Sequence, residues 1–215
     1  MQMVDGGLVY SASDLNNFLE CEHLIELEEL VARGALVRPA KSASAELIAG
    51  KGIQHEDRHL RHLQAQFADL VTIEAPPEHG VAALREAAAQ TNAAMERGAR
   101  VIYQGVFFDG RWLGKSDFLL RVETPSQRWP WSYEVADTKL ALSSKPYFIT
   151  QLSFYSEQLA LVQGSMPLHM HVILGDGRQE RHRVEDYRAY YQRLKARFES
   201  AAEAPSGNGQ TYPLK

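Results

Sequence analysis

A run of strand formers, Val101-Ile102-Tyr103-Gln104-Gly105-Val106-Phe107-Phe108, leads into Asp109-Gly110 and resumes from Arg111 to Val122. Asp-Gly between two such runs is the favoured two-residue hairpin turn, because both of its positions accept the positive φ that a twist-matched turn requires. A further strand-like run, Tyr133 to Leu140, follows between Trp129 to Trp131 and Leu140 to Leu142, with little loop character inside it. Three strands in succession commit the middle of the chain to a sheet, and the last of them reads as central and buried.

Side chains on a strand alternate between its two faces. On the return strand of the hairpin Leu113, Lys115, Asp117 and Leu119 share one face, and Trp112, Gly114, Ser116 and Phe118 the other. On the next strand Tyr133, Val135, Asp137 and Lys139 project together, opposite Glu134, Ala136 and Thr138. Either aspartate alone reads as an ordinary strand-end or surface residue. Two carboxylates and a lysine gathered on neighbouring strands are instead what magnesium-dependent phosphodiester hydrolysis needs: acids to hold the cation, and an ammonium to meet negative charge as it builds.

Helical segments flank this block. Lys145-Pro146-Tyr147 opens a helix that runs to about Gln163 and is closed by Gly164. Within it Gln151 and Tyr155, four apart, share a face. Upstream, a helix from about Ser44 to Leu70 carries Gly52-Ile53-Gln54-His55-Glu56. Ser13 can cap a first helix extending to about Gly34, and an alanine-rich helix spans Glu78 to Gly98. After the Gln151 helix come an edge strand from Leu168 to Leu174, a turn at Gly175-Asp176-Gly177, and a charged amphipathic helix from Val184 to Glu203.

In chain order, Gly52 to Glu56, Gly114 to Asp117, Asp137-Thr138-Lys139 and Gln151 to Tyr155 resemble the four motifs of the RecB-type branch of the PD-(D/E)xK nuclease superfamily. The opening Tyr10-Ser11-Ala12-Ser13-Asp14-Leu15-Asn16-Asn17-Phe18-Leu19-Glu20-Cys21 is similar to the start of RecB-like nucleases that are often fused to helicase or further nuclease modules. The likeness spans nearly the whole chain, with Ser116 in place of the proline and Asp137 where many members carry Glu. It implies an α/β fold with a restriction-endonuclease-like core: a mixed central sheet flanked by helices, behind a helical N-terminal extension. One domain over 1–215 follows, mostly helical over 1–100, with the catalytic sheet and its helices over 101–203 and a flexible tail over 204–215.

The resemblance also assigns roles. Asp117, Asp137, the backbone carbonyl of Thr138 and the imidazole of His55 would bind Mg2+ or Mn2+ beside the scissile phosphate, a ligand set of oxygens plus one imidazole that suits both ions. Lys139 would position water or phosphate, and Gln151 and Tyr155 would orient Lys139 or touch the nucleic-acid backbone. Glu56 is a further member, although adjacent helical residues diverge by about 100°. The implied activity is a deoxyribonuclease, exonuclease-like, acting on DNA ends or single strands in repair, recombination or defence.

Composition sets the outer bounds. At 215 residues and 45% apolar the chain can bury one α/β core. It has no apolar run long enough to span a membrane and no export leader at its start, so no membrane partner is expected and the cytoplasm is the default location. The net charge of -4 argues against a protein that grips DNA over its whole surface. A basic stretch from Arg178 to Arg197, with Arg181, Arg183, Arg188, Arg193 and Lys195, reads as a solvated helix face or as phosphate contacts.

Several RecB-like nucleases hold an iron-sulfur cluster between one early and three late cysteines. Cys21 fits the early position, but it is the single cysteine here, so a cluster is possible only in a longer native chain. Two rival readings stand beside the nuclease. His55-Glu56-Asp57-Arg58-His59 matches the HExxH pattern of zinc metalloproteases, yet this leaves Asp117, Asp137 and Lys139 without a role. A catalytically inactive nuclease-like module that binds nucleic acid is the other.

Overall fold

The computed structural model describes residues 1–74 and 80–203. The protein has an α/β fold in which a mixed, open sheet of eight strands is packed by helices on both faces. In chain order the strands are β1 (Gln2–Val4), β2 (Gly7–Ser11), β3 (Val71–Thr72), β4 (Val101–Phe108), β5 (Trp112–Val122), β6 (Ser132–Thr138), β7 (His169–Ile173) and β8 (Gln179–Arg183). The helices are α1 (Ala12–Glu20), α2 (Leu24–Ala32), α3 (Ala43–Gln66), α4 (Val81–Glu96), α5 (Pro146–Gln163) and α6 (Glu185–Glu203).

The centre of the sheet follows the sequence pattern closely. β4 and β5 form the hairpin around Asp109-Gly110, pairing antiparallel from Val101–Leu120 to Phe108–Leu113. β6 pairs antiparallel with β5 and parallel with β7. Tyr133 and Val135 are fully buried among α4 and α5, and a second, smaller core of Leu63, Val101, Phe118 and Ala136 lies on the opposite face under α3. The α5 boundaries arise as the residues dictate: Pro146 sits in the first turn, where its missing N–H costs nothing, and Gly164 ends the helix at φ 75°.

The N-terminus differs from the expectation of one helix capped by Ser13. Asp5 and Gly6 adopt φ 47° and 83°, making a tight turn between β1 and β2. This is the same dipeptide chemistry as at Asp109-Gly110, here between strands too short to stand out. The cap moves to Ser11, whose backbone N–H and hydroxyl both donate to Asp14 Oδ2 at 2.7 and 2.9 Å. Helix continuity then breaks at Cys21-Glu22-His23, so the segment reaching Gly34 is two helices.

The C-terminal part of the sheet needs a second correction. Leu168 to Leu174 is not the sheet edge: β8 pairs antiparallel with β7 from His169–Arg183 to Ile173–Gln179. Gln179-Glu180-Arg181-His182-Arg183 has no apolar alternation, and its strand character comes from the ladder with β7; such charge is how sheet edges resist pairing with other chains. Arg181 and Arg183 therefore project from a strand, while Arg188, Arg193 and Lys195 lie on α6. The start of the alanine-rich helix at Glu78 and the tail over 204–215 lie outside the described residues. Among the described residues no helix is long and apolar enough to cross a membrane.

Candidate active site

β5 is longer than any of its partners, and this opens a gap in the sheet. One edge of β5 is lined by β4 from Leu113 to Leu120, the register skipping the rung between Gln104 and Asp117. The other is shared in tandem, by β2 at Trp112 and Leu113 and by β6 from Phe118 to Val122. Between them Gly114 to Asp117 face an unpaired stretch toward which both β2 and β6 point their C-terminal ends, and α1 starts directly after β2. Continuing the β5–β6 register one rung beyond Phe118–Ala136 sets Asp117 opposite Asp137, so the two aspartates meet at the lip of this gap.

Each carboxylate is held. Thr138 donates its backbone N–H and its hydroxyl to Asp117 Oδ2, at 2.9 and 3.0 Å. Asp137 is 1% exposed; its Oδ2 is ion-paired with Lys139 and its Oδ1 accepts a long bond of 3.4 Å from Gln151 Nε2. Burial, and after it the charge of Asp117, raise the Asp137 carboxyl from the ordinary 3.8 to about 7, with Lys139 opposing. Asp137 and Lys139 do project together, as strand alternation requires. The Lys139 ammonium also lies 5.4 Å from the centre of the Phe148 ring on α5, and its backbone N–H bonds Ile173 O at 2.8 Å.

On α5, Gln151 Nε2 also donates to Tyr155 Oη at 2.9 Å, so the pair four residues apart acts as one unit against Asp137. Burial and the nearby aspartates push the Tyr155 phenol well above its usual range, keeping it protonated. Gly114 lets the backbone of β5 come close beneath it: a Cβ there would meet Phe154, Phe107 and Tyr155 at 3.3 to 3.4 Å.

α3 approaches from the other face of the sheet. His55 is buried and its Nε2 lies 3.3 Å from the carbonyl of Ile173, the same oxygen that accepts from Lys139. An imidazole that donates through Nε2 keeps the Nδ1 lone pair, and His55 Nδ1 is buried without a partner among the described residues. Glu56 turns away from His55, accepting from Tyr103 Oη at 2.8 Å and Gln104 Nε2 at 2.6 Å. Its proton affinity is raised, first by burial and then by Asp117, and Glu56 in turn raises that of Asp137. Tyr103 and Gln104 carried no sequence signal for this role. Gln104 adopts φ 57° in the middle of a strand, a costly geometry for a residue with a Cβ, and it is held there by contact with a helix far away in the chain.

Asp137, Lys139, Gln151 and Tyr155 are thus drawn into one hydrogen-bonded and ionic group, to which Asp117, held by Thr138, and Glu56 are coupled electrostatically. His55 joins through the Ile173 carbonyl. Among the described residues no three His, Cys, Asp or Glu side chains already form a cage around an ion-sized point. The chemistry of the set nonetheless suits a hard cation. Burial and then the charge of Asp117 raise the proton affinity of both Glu56 and Asp137, with the Lys139 ammonium opposing, and hard oxygen donors with retained water are what Mg2+ and Mn2+ take. Of the HExxH histidines, His59 stacks edge-on against Phe118 at 5.1 Å, and burial lowers its pKa to about 4. Cys21 is half-buried at the C-terminus of α1.

No protein-family model matches this chain, and no curated protein matches it in sequence.

Proposed function

We propose that this protein is a divalent-metal-dependent nuclease of the RecB-type PD-(D/E)xK kind, hydrolysing phosphodiester bonds of DNA. In this reading β4, β5, β6, α5 and β7 are its restriction-endonuclease-like core. The observation that carries the reading is the buried Asp137 carboxylate, opposed to Asp117 across the β5–β6 ladder, raised to about 7 and paired with Lys139 at an open gap in the sheet.

Asp117, Asp137 and the Thr138 carbonyl would hold Mg2+ or Mn2+, with the free Nδ1 of His55 as a further donor. When bound, the ion supplies Lewis-acid stabilisation of charge growing on the phosphate. The remaining work belongs to the side chains. Lys139, beside Asp137, turns its ammonium to the phosphate oxygens as they gain charge, a contact stronger in the transition state than in the ground state. Gln151 fixes the Asp137 carboxylate and is itself fixed by Tyr155, so the acid keeps one orientation throughout.

DNA ends or single strands are the proposed substrate, the cytoplasm the proposed location, and a helicase or second nuclease module the proposed companion. The test is cleavage of labelled single- and double-stranded DNA by the purified chain with Mg2+, Mn2+ or EDTA, comparing wild type with Lys139→Ala and Asp137→Asn. Metal-dependent cleavage that falls at least about a hundredfold in both variants, a loss of the size seen when one transition-state donor is removed, supports the proposal. Equal behaviour of all three proteins overturns it, and strand binding without cleavage by wild type identifies an inactive binding module.

A further inference from the structure

A second cavity, of about 310 Å3, lies between the start of α5, the start of α6 and β8. Its wall on α6 is Tyr187, Tyr190 and Tyr191, spaced so that all three share one helix face. Pro146 and Ile149 form the opposite wall. The polar atoms at its end are linked: Ser144 Oγ lies 3.0 Å from His182 Nε2, and His182 Nδ1 lies 3.4 Å from Tyr187 Oη. Lys145 stands at the rim with its ammonium 5.9 Å from the centre of the half-exposed Tyr147 ring. None of these side chains takes part in the Asp117–Asp137–Lys139 group.

The register fixes the distance between the two places. Asp137 pairs with Val172 and Val172 with Glu180, so Glu180 is two strands across from Asp137, and His182 lies two residues further along β8. At about 4.8 Å per strand and 3.3 Å per residue this separates His182 from Asp137 by roughly 12 Å, which three to four nucleotides of a stacked strand span at a rise of about 3.4 Å. The first turn of α5 joins them: Phe148 lies against Lys139, while Pro146 and Ile149 line the cavity.

We propose that this tyrosine-lined cavity receives an unpaired nucleobase of the strand being cut, a few nucleotides from the scissile phosphate. Apolar walls with aromatic faces and a short polar end match a base, which offers π faces on both sides and hydrogen-bonding groups along one edge. The ammonium of Lys145 at the rim suits the phosphate attached to that base. A base inside a duplex cannot enter, so the cavity selects single strands or frayed ends. This inference rests on the nuclease reading for the presence of a strand, and it adds the place where an unpaired base of that strand is held.

Tyr190 is 58% exposed, so its replacement should leave the fold intact. The experiment is equilibrium binding, in EDTA, of a short single-stranded oligonucleotide carrying 2-aminopurine and of a blunt duplex, to wild type, Tyr190→Ala, Tyr190→Phe and Tyr187→Ala. Metal-dependent cleavage by the same proteins is measured in parallel. The expected result is that Tyr190→Ala weakens single-strand binding by about tenfold, as loss of one stacked base does, and relieves 2-aminopurine quenching. Tyr190→Phe retains both, and duplex binding is unchanged. Single-strand binding equal to wild type in both alanine variants, or an equal loss on the duplex, overturns the proposal. Absence of single-strand binding by wild type does the same. Such results leave the nuclease reading standing if wild type still cleaves, whereas loss of binding in Tyr190→Ala without any cleavage by wild type retains the cavity and removes the nuclease.

Discussion

Thr138 places both of its donors on a single oxygen of Asp117, the backbone N–H at 2.9 Å and the hydroxyl at 3.0 Å from Oδ2. With Oδ2 occupied twice, the carboxylate cannot rotate freely, and its other oxygen keeps its lone pairs for a further partner. The end of β6 thereby orients the acid on β5. Thr138→Val removes the hydroxyl donor and keeps the shape. It is expected to destabilise the protein by about 1 kcal/mol and, in the proposed nuclease reading, to lower metal-dependent cleavage by roughly tenfold, the scale on which outer partners tune a metal ligand. Urea titration and cleavage rates on the same preparations check the two effects separately.

The Asp137 carboxyl has a definite pH consequence. Burial and then Asp117 lift it from 3.8 to about 7, so between these values the folded protein keeps a proton that the unfolded chain releases. Stability therefore falls as pH rises through that window, and the penalty is complete above about pH 7. Asp137→Asn removes it: in EDTA the variant is expected to melt above wild type at pH 8, by at least about 1 kcal/mol, with the difference closing toward pH 4. In the proposed nuclease reading a divalent cation has to displace the same proton. Mn2+ affinity is expected to climb with pH up to about 7 and then level off, and calorimetry in two buffers of different ionisation heat will read the released proton.

Glu134 behaves in the opposite sense. It lies at the floor of a cleft on the α3 face of the sheet, with Oε2 2.8 Å from His171 Nε2 and Oε1 accepting the backbone N–H of His169 at 3.0 Å. Burial acts to raise its pKa, but the bonds from His171 and His169 outweigh it and hold the carboxyl below its ordinary 4.5. A depressed folded value contributes stability above pH 4.5 that is lost as pH falls further. Breaking a buried, bonded charge pair costs about 3 kcal/mol, so Glu134→Ala is expected to lower the urea midpoint strongly at pH 7 and less at pH 4. Cleavage by the folded fraction should be unaffected, since Glu134 faces away from Asp137 on the same strand.

These residues also mark where sequence was informative. Asp109-Gly110, the alternation in β5 and β6, Pro146 and Gly164 are local signals, and each specified its element; Asp137 with Lys139, and Gln151 with Tyr155, followed from strand and helix periodicity alone. The Asp5-Gly6 hairpin used the same turn chemistry, but its strands are too short to show alternation. β8 had no apolar pattern at all. What could not be read was long-range pairing. Glu56 depends on Tyr103 and Gln104, and His55 on the carbonyl of Ile173, contacts that exist only once α3 lies across the sheet. The gap beside Gly114 to Asp117 is likewise a property of strand order, since it arises from β2 and β6 sharing one edge of β5.

Gly175 links that strand order to the position of Lys139. A Cβ at this residue would lie 2.3 Å from the carbonyl oxygen of Leu140 and 2.9 Å from its carbon, both backbone atoms. The chain leaving β6 is thus laid directly on the turn after β7, and Gly175 N–H bonds Ala141 O at 3.0 Å to fasten it. Gly175→Ala must push Leu140 away, and Lys139 is the next residue along. Overpacking of this kind costs about 2 kcal/mol, and the displaced ammonium is expected to lower cleavage by at least tenfold, as small misplacements of a reacting group do. Gly177 provides the control: at φ 85° with nothing within 4 Å of a Cβ, it is strained but open. Gly177→Ala is expected to cost about 1 kcal/mol and to leave the cleavage rate of the folded protein unchanged. Equal losses of activity in the two variants would mean that the turn as a whole, rather than the approach of Gly175 to Leu140, sets the position of Lys139.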